Sequence, residues 1–490
     1  MAEREPTWKV ERYRDFTGGE NLKILPEYIQ PNQVISALNC VITNEGLLET
    51  RLGKIRVNTT SLGAGKITSV HRYAKENGTK YIVVQHGTSL YAKAWDGATP
   101  FATFPAAVKT NLDVAKLRSV VWKDKLWLTN GIDQAFSFDG TAVADVAAIP
   151  KCDHLYLYAG RLWCKDNATG FLENSNLEDP TDWTDSGSYK VRDGEGDTIT
   201  ALSPQNGGMV IFKENTAQTL YGTNTGATGN IQITEPFSRD VGCVSIDSVL
   251  DHGLVMAKNN LYTFNLNSMT ELPATHTPLF DSMTLAQKGA VFAVADPLDK
   301  RALVYAPGTE ARTLCLNTKW GGASITSWSS MNAACFCLAD SKGDTGALLI
   351  GDADNGIVFM EGGARDDTAL IQTRIKSAYL DGDKLRQKEW SSYIAEVEPL
   401  ESNTAYRLYY NYDVDYSVHG GMLTASYEND IGQWGVDKWS ESKWGSVYRI
   451  NEPMFPDVAR GNRISFEAVC NNRIRFNGFT TKFREVGALI

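Results

Sequence analysis

Met209–Gly222, MVIFKENTAQTLYG, sets the reading of the whole chain. Met209 to Phe212 is a short apolar run, Lys213, Glu214 and Asn215 form a polar turn, and Thr219 to Tyr221 start a second run. This is a β-hairpin. Similar hairpins recur from near residue 66 to near residue 360, each too small to bury its own apolar faces, so they must stack on one another.

The repeats begin at Lys66. KITSVHRYAKENGTKYIVVQHGTSLYAKAWDG gives three strands, with turns at Glu76-Asn77-Gly78 and His86-Gly87 and a close at Asp96-Gly97. LRSVVWKDKLWLTNGIDQAFSFDG, from Leu117, repeats the arrangement with turns at Lys123-Asp124 and Asn130-Gly131 and a close at Asp139-Gly140. A third unit from His154 shares its aromatic placement, since Trp127 and Trp163 both fall in the second strand. Further units span Thr198 to Ile233, Cys243 to Asn265, Val291 to Asn317 and a last stretch ending near Gly363. Units of this size with three or four short strands predict an all-β chain whose main body is a β-propeller of about six blades, with five or seven as neighbouring counts.

Residues 1–60 read as an N-terminal opening segment, partly completing the propeller, because a ring of blades must join its first and last units. Within it Pro31 to Ala37 reads as a short helix with Pro in its first turn, and CVITNEGLLETRLG as a hairpin around Asn44-Glu45-Gly46. The propeller then occupies 61–363. After Gly363 the strands lengthen, and TAYRLYYNYDV alternates as a half-buried sheet does. Residues 364–490 are expected to form a C-terminal β-sandwich. Inside it QWGVDKWSESKWG places Trp434, Trp439 and Trp444 five residues apart, which fits neither a helical nor a strand face. The stretch reads either as a loop pinned by three aromatics or as a contact with a subunit or partner.

Composition sets limits on function. A chain of 490 residues exceeds what one core usually serves unless the fold is a repeat array. No run approaches the about 20 apolar residues of a membrane helix, and the charged start MAEREPTWKV predicts no secretory signal. A net charge of −10 argues against general affinity for duplex DNA. The acidic stretch Glu173–Asp197 reads as a solvated loop, or as carboxylates offered to a basic partner. The eight cysteines sit mostly in apolar segments and read as buried thiols, and Cys335 and Cys337 lack a second pair for zinc.

No catalytic constellation emerges. None of His71, His86, His154, His252, His276 or His419 lies in a nucleophile motif, and His71 and His154 read as structural histidines in strands. The Ser-x-Asp-x-Gly-x-x-Trp turn of sialidase-like propellers is missing from the sequence. Asp193, Glu195 and Asp197, and Asp352, Asp354 and Asn355, imitate calcium loops without the distal Glu, so turn chemistry is the expected role. No cofactor or metal is expected.

Several segments resemble one family, the tail nozzle or hub proteins of short-tailed phages, also called packaged-DNA stabilisation proteins. DFTGGENLKILPEYIQPNQVISALNCVITNEGLLETRLGKIRV is similar to the family's opening, with a Gly18-Gly19 start, a Pro26 and Pro31 bracket and a Gly46-Leu47-x-x-x-Arg51-x-Gly53 close. The family often has Pro where this chain has Leu52. MVIFKENTAQTLYG resembles its blade hairpin, and LIGDADNGIVFMEGG with IQTRIKSAYL resembles its joint between propeller and sandwich. The resemblance spans nearly the whole chain. It implies a non-enzymatic virion protein in a homo-oligomeric, hexameric ring below the portal and adaptor. DNA would pass through the channel without sequence-specific binding, while the ring contacts tailspikes or fibres and a tail needle or tip. Such a protein is assembled in the host cytoplasm and resides in the virion tail. An acidic lumen suits sliding DNA. The alternatives are a receptor-binding or tailspike-type protein recognising host glycans, and a propeller glycosidase with two carboxylates roughly 5 to 10 Å apart at the axis.

Overall fold

The computed structural model describes residues 7–95, 97, 100–184, 187–191, 197–223, 229–250, 253–320, 324–329, 331–340, 346–380, 387–400, 405–414, 417–426 and 459–485. Regular structure is almost all strand, and the strands form a β-propeller, as the hairpin repeats predict. Six blades are contiguous chain: blade 1 (67–94), blade 2 (118–145), blade 3 (156–189), blade 4 (199–233), blade 5 (254–271) and blade 6 (292–329). The expected count of about six describes these. A seventh sheet closes the ring. It joins Ala333–Asp340, Gly346–Asp352 and Val358–Glu361 to Lys54–Arg56 of the opening segment, with Phe359 opposite Arg56 and Glu361 opposite Lys54. The opening segment thus supplies a strand to the propeller, as closure requires.

The hairpin Met209–Gly222 is the centre of blade 4, where Gly208–Lys213 and Ala217–Tyr221 pair with Met209 opposite Leu220. A blade has a neighbour on each face, so its central strand reads as an apolar run rather than an alternation. Alternate side chains serve different cores. Val210 and Phe212 pack with Val255, Tyr262 and Phe264 of blade 5, while Met209 and Ile211 pack with Trp163 and Leu172 of blade 3. Lys213 is not part of an exposed turn: it ends the strand and is buried. The turn proper is tied to its neighbours, since Asp197 accepts the backbone N–H groups of Glu214 and Asn215, and Lys258 pairs with Glu214 at 2.7 Å.

The repeated tryptophans share one device. Trp127 Nε1 donates to the Trp122 carbonyl at 2.9 Å and Trp163 Nε1 to the Tyr158 carbonyl at 3.1 Å, each five residues upstream across its hairpin. The indole is thereby buried without an orphaned donor.

The rest of the opening segment joins the C-terminal strands. One sheet runs Ala459–Gly461, Lys388–Pro399, Ile474–Glu485, Leu48–Thr50, Cys40–Ile42, with Lys9–Tyr13 also paired to Ile474–Glu485. A second runs Gln33–Leu38, Thr373–Ser377, Ile464–Cys470, Ala405–Val414, Ser417–Ser426, and continues into blade 6 through the Ser327–Leu38 bridge. Between them lies a core of Phe16, Val34, Ala37, Leu48, Ile375, Trp390, Phe466, Phe476, Phe479 and Phe483. The expected helix at Pro31–Ala37 is instead the strand Gln33–Leu38. Pairing with Thr373–Ser377 and burial of Val34 and Ala37 in this core outweigh the local signal of Pro31. Trp434, Trp439 and Trp444 lie outside the described residues.

Candidate functional site

Neighbouring blades touch through their first strands, and the contact of Ile67–Ala74 with both Arg118–Trp122 and Ala333–Asp340 completes the inner wall of the ring. Arg118 opens blade 2, and its Nε and Nη2 donate to the two Asp247 oxygens at 2.8 and 3.0 Å. Asp247 lies in the 3-10 turn Ile246–Ser248 ahead of blade 5, so the pair crosses the ring. Lys116 Nζ adds a third charge at 3.2 Å, and also lies 5.3 Å over the Phe292 ring. Burial would raise the Asp247 carboxyl, but Lys116 and Arg118 outweigh it and hold the group well below the usual carboxylate range. About a fifth of this side chain still reaches solvent, so the throat is wet.

Two histidines flank the ion cluster. His71 makes 2.9 Å bonds with Ser69 Oγ through Nε2 and with Ser119 Oγ through Nδ1. His154 lies two residues before the blade 3 strand Tyr156–Tyr158 rather than inside it, with its ring 4.2 Å from that of Tyr156. Burial, then the charge of Lys116, pushes His71 down to about 3, and burial, then Arg118, pushes His154 down to about 4. Both imidazoles are neutral at physiological pH. The Ser119–His71 contact resembles a nucleophile–base pair, but a base this weak, with a hydroxyl instead of a carboxylate on its other nitrogen, does not activate serine. Burial raises the axial thiols, Cys243 to about 12 and Cys335 to about 11, so neither is a ready thiolate. The axis is built to hold charge in place.

Lys116, Arg118 and Asp247 escaped the sequence reading. The available signal was a lone charge opening an apolar strand, as in Leu117-Arg118-Ser119-Val120. The residues examined as calcium loops behave as turns: Asp352 Oδ1 accepts from the backbone N–H of Asp354 and Asn355 at 2.8 Å each. Asp193 and Glu195 fall outside the described residues. In the acidic stretch, Asp179 and Asp182 cap Thr181 and Thr184, and Glu178 pairs with Lys123, so much of its charge is used within the chain.

Two of the three regions carrying the family resemblance, the opening segment and residues 349–380, meet at one seam between propeller and sandwich, while Met209–Gly222 lies apart from it in blade 4. Arg51 is fully buried and donates bidentately to Asp366 at 2.8 and 2.6 Å and to Asn39 at 3.0 Å. Its guanidinium lies 5.6 Å from the buried Trp328 ring, and Arg301 lies 5.8 Å from the same ring. Gly53 passes so close to Arg365 that a Cβ would sit 2.0 Å from its carbonyl oxygen. Gly19, at φ +67, likewise abuts the Ile325 backbone. Next to it Glu20 is buried, accepting from the Ala37 N–H at 3.1 Å and the Ser327 hydroxyl, with His276 Nε2 at 3.3 Å. Burial opposes this charge, yet His276, Ser327 and Ala37 leave the Glu20 carboxyl below its ordinary value.

Neither a family profile nor a curated protein matches the chain. Among solved structures, the N-terminal domain of Nup159 is similar at 10% identity and a TM-score of 0.42, covering 64% of this chain and 95% of that one. PorZ, a surface component of the type-IX secretion system of Porphyromonas gingivalis, is similar at 15% identity and a TM-score of 0.33, covering 60% and 42%. The computationally designed Ika8 protein is similar at 12% identity and a TM-score of 0.35, covering 63% and 99%. No helix among the described residues is long and apolar enough to cross a membrane.

Proposed function

We propose that this chain is a structural protein of a phage virion, forming the tail nozzle or hub ring below the portal and adaptor. In that position it extends the DNA exit channel, retains the packaged genome and helps its ejection, with no enzymatic step. The observation that carries this reading is the meeting of two of the three resembling regions, the opening segment and residues 349–380, at the seam. Gly19, Arg51, Gly53 and the closing sheet Gly346–Glu361 are fixed by close approach and buried charge, so the motifs serve to tie a propeller to a sandwich. That is what an assembly part needs.

The axis supports a role without chemistry. Asp247 is ionised and held by Arg118 and Lys116, so this carboxylate does not serve as the protonated acid of a glycosidase. The 2.8 Å Arg118–Asp247 bridge also bars DNA from the axis of a single propeller. Duplex DNA would run instead through a channel enclosed by several copies, here a hexamer, whose net charge of −10 per chain favours sliding over adhesion. The outer surfaces would meet tailspikes or fibres and a tail needle or tip. Native mass measurement and electron microscopy of the purified chain, alone and with a portal–adaptor complex, test the reading. Stoichiometric docking beneath the adaptor as a ring is the expected result, and a chain that never engages the adaptor would overturn it.

A further inference from the structure

Two of the eight cysteines meet across the junction of blades 2 and 3. Cys152 lies in the connection between the last strand of blade 2, Val143–Asp145, and the first of blade 3, Tyr156–Tyr158, while Cys164 is on the second strand of blade 3, Arg161–Lys165. That strand divides its side chains. Trp163 turns to the core shared with blade 4, whereas Leu162 and Cys164 turn to the core shared with blade 2, where Trp127, Ile149 and Cys152 also lie. The connection is tied to both blades. The Asn167 N–H of blade 3 donates to the Lys151 carbonyl at 2.9 Å, and the Thr129 hydroxyl of blade 2 donates to the Cys152 carbonyl, with its oxygen 3.8 Å from the Cys152 sulfur. Held in this way, the Cys152 and Cys164 side chains share a hydrogen bond.

Both thiols are free and fully buried. A disulfide needs two Cβ atoms turned toward each other, so side chains that approach from separate chain segments suit it. Cys335 and Cys337 make the contrast: two apart on the strand Ala333–Asp340, their side chains run parallel and do not face one another. The environment of the Cys152–Cys164 pair also selects the oxidant. Burial, then the neighbouring Cys152 thiol, pushes the Cys164 thiol well above its ordinary range, which slows exchange with a bulky disulfide such as oxidised glutathione. A peroxide is little larger than water and needs only a brief local opening to reach the pair.

We propose that Cys152 and Cys164 are an oxidation site, at which a peroxide converts the two thiols to a disulfide that staples the connection from blade 2 onto blade 3. One sulfur attacks the peroxide, breaking its O–O bond and giving a sulfenic acid and one water. The second sulfur then displaces the sulfenic hydroxyl as a second water, so the two thiol hydrogens leave in water and two electrons pass to the peroxide. The bridge closes a short loop and restricts the unfolded chain. This site is independent of the nozzle reading. The full chain, freed of reductant, is exposed to hydrogen peroxide well below its unfolding temperature, then alkylated and digested with trypsin. The expected product is the peptide Cys152–Arg161 joined to Leu162–Lys165, with the free-thiol count down by two and the unfolding temperature several degrees higher. Cys152→Ala is expected to give neither the linked peptides nor the rise. Should that variant fold poorly, the peptide map of the parent chain still decides. Thiols that stay free, thiols that oxidise separately to sulfinic acids, a link through other cysteines, or a linked chain that melts no higher would each overturn the proposal.

Discussion

The axis and the seam are both held by buried or half-buried arginine–aspartate pairs, yet they solve different problems. At the axis, Arg118 and Lys116 share Asp247 in a throat that water reaches. At the seam, Arg51 is cut off from solvent and bonds Asp366, Asn39 and the Leu52 carbonyl together. The axial cluster has a spare cation and tolerates loss of one. At the seam Arg51 makes the direct bonds to Asp366, with Lys54 near enough only to act through its charge. The difference shows that ring closure, rather than the ring's centre, is where this fold concentrates its cost of error.

The largest expected effect therefore belongs to the seam. Arg51→Ala leaves Asp366 facing a buried void and is expected to cost about 3 to 5 kcal/mol, read as a fall in the denaturant midpoint. A comparable loss is expected for Gly53→Ala, because the added Cβ meets Arg365 backbone at 2.0 Å and the Lys54–Arg56 strand must shift. If Arg51→Ala unfolds with the midpoint of the parent chain, the contrast between seam and axis fails. Arg118→Ala is expected to cost less, about 2 kcal/mol, since Lys116 remains on Asp247 and the throat is hydrated.

Acid should act on the axis before the seam. His71 and His154 take up protons in the unfolded chain near pH 6.5, but in the folded chain only near 3 and 4. Their folded values are depressed, so stability is full above about pH 6.5 and falls as pH drops toward 4, by up to about 1.4 kcal/mol per pH unit for each histidine. Asp247, also depressed, then gives up its own contribution as pH drops below the ordinary carboxylate range. His71→Gln is expected to flatten the slope between pH 6.5 and 4 in urea titrations run at each pH. An unchanged slope in that variant would show that His71 is not the group being titrated.

The smallest effect lies at a blade rim. Lys123 and Asp124 hold φ of 52 and 53, the two positive values of a tight hairpin turn where Asn and Gly are preferred. Lys123→Asn is expected to stabilise the chain by about 0.5 kcal/mol in thermal melts, with Asp124 left to accept the Glu76 N–H and the Tyr73 hydroxyl. A loss of stability would mean that the exposed Lys123–Glu178 pair matters more than the turn conformation.

What was legible in the sequence was local. A hairpin such as Met209–Gly222 announces itself because two apolar runs and their turn lie within a few residues, and repetition turns one hairpin into a propeller. Trp127 and Trp163 marked equivalent strands for the same reason. What stayed hidden was set by residues far apart in the chain. Arg118 and Asp247 are 129 positions apart, Arg51 and Asp366 are 315. Gln33–Leu38 became a strand because distant partners, Thr373–Ser377 and Ser327 among them, pair with it, so its local helical signal misled. The motif Gly46-Leu47-x-x-x-Arg51-x-Gly53 was visible as a pattern, but its purpose depends on Arg365, Asp366 and Trp328.

Backbone hydrogen exchange across the closing sheet tests the central structural claim most directly. If the opening segment closes the ring, the amides of Lys54–Arg56 exchange as slowly as those of Val358–Glu361, and Arg51→Ala speeds both together while Gly208–Lys213 stays protected. Fast exchange of Lys54–Arg56 beside a protected Val358–Glu361 would contradict it, because the propeller would then be holding itself closed without the opening segment.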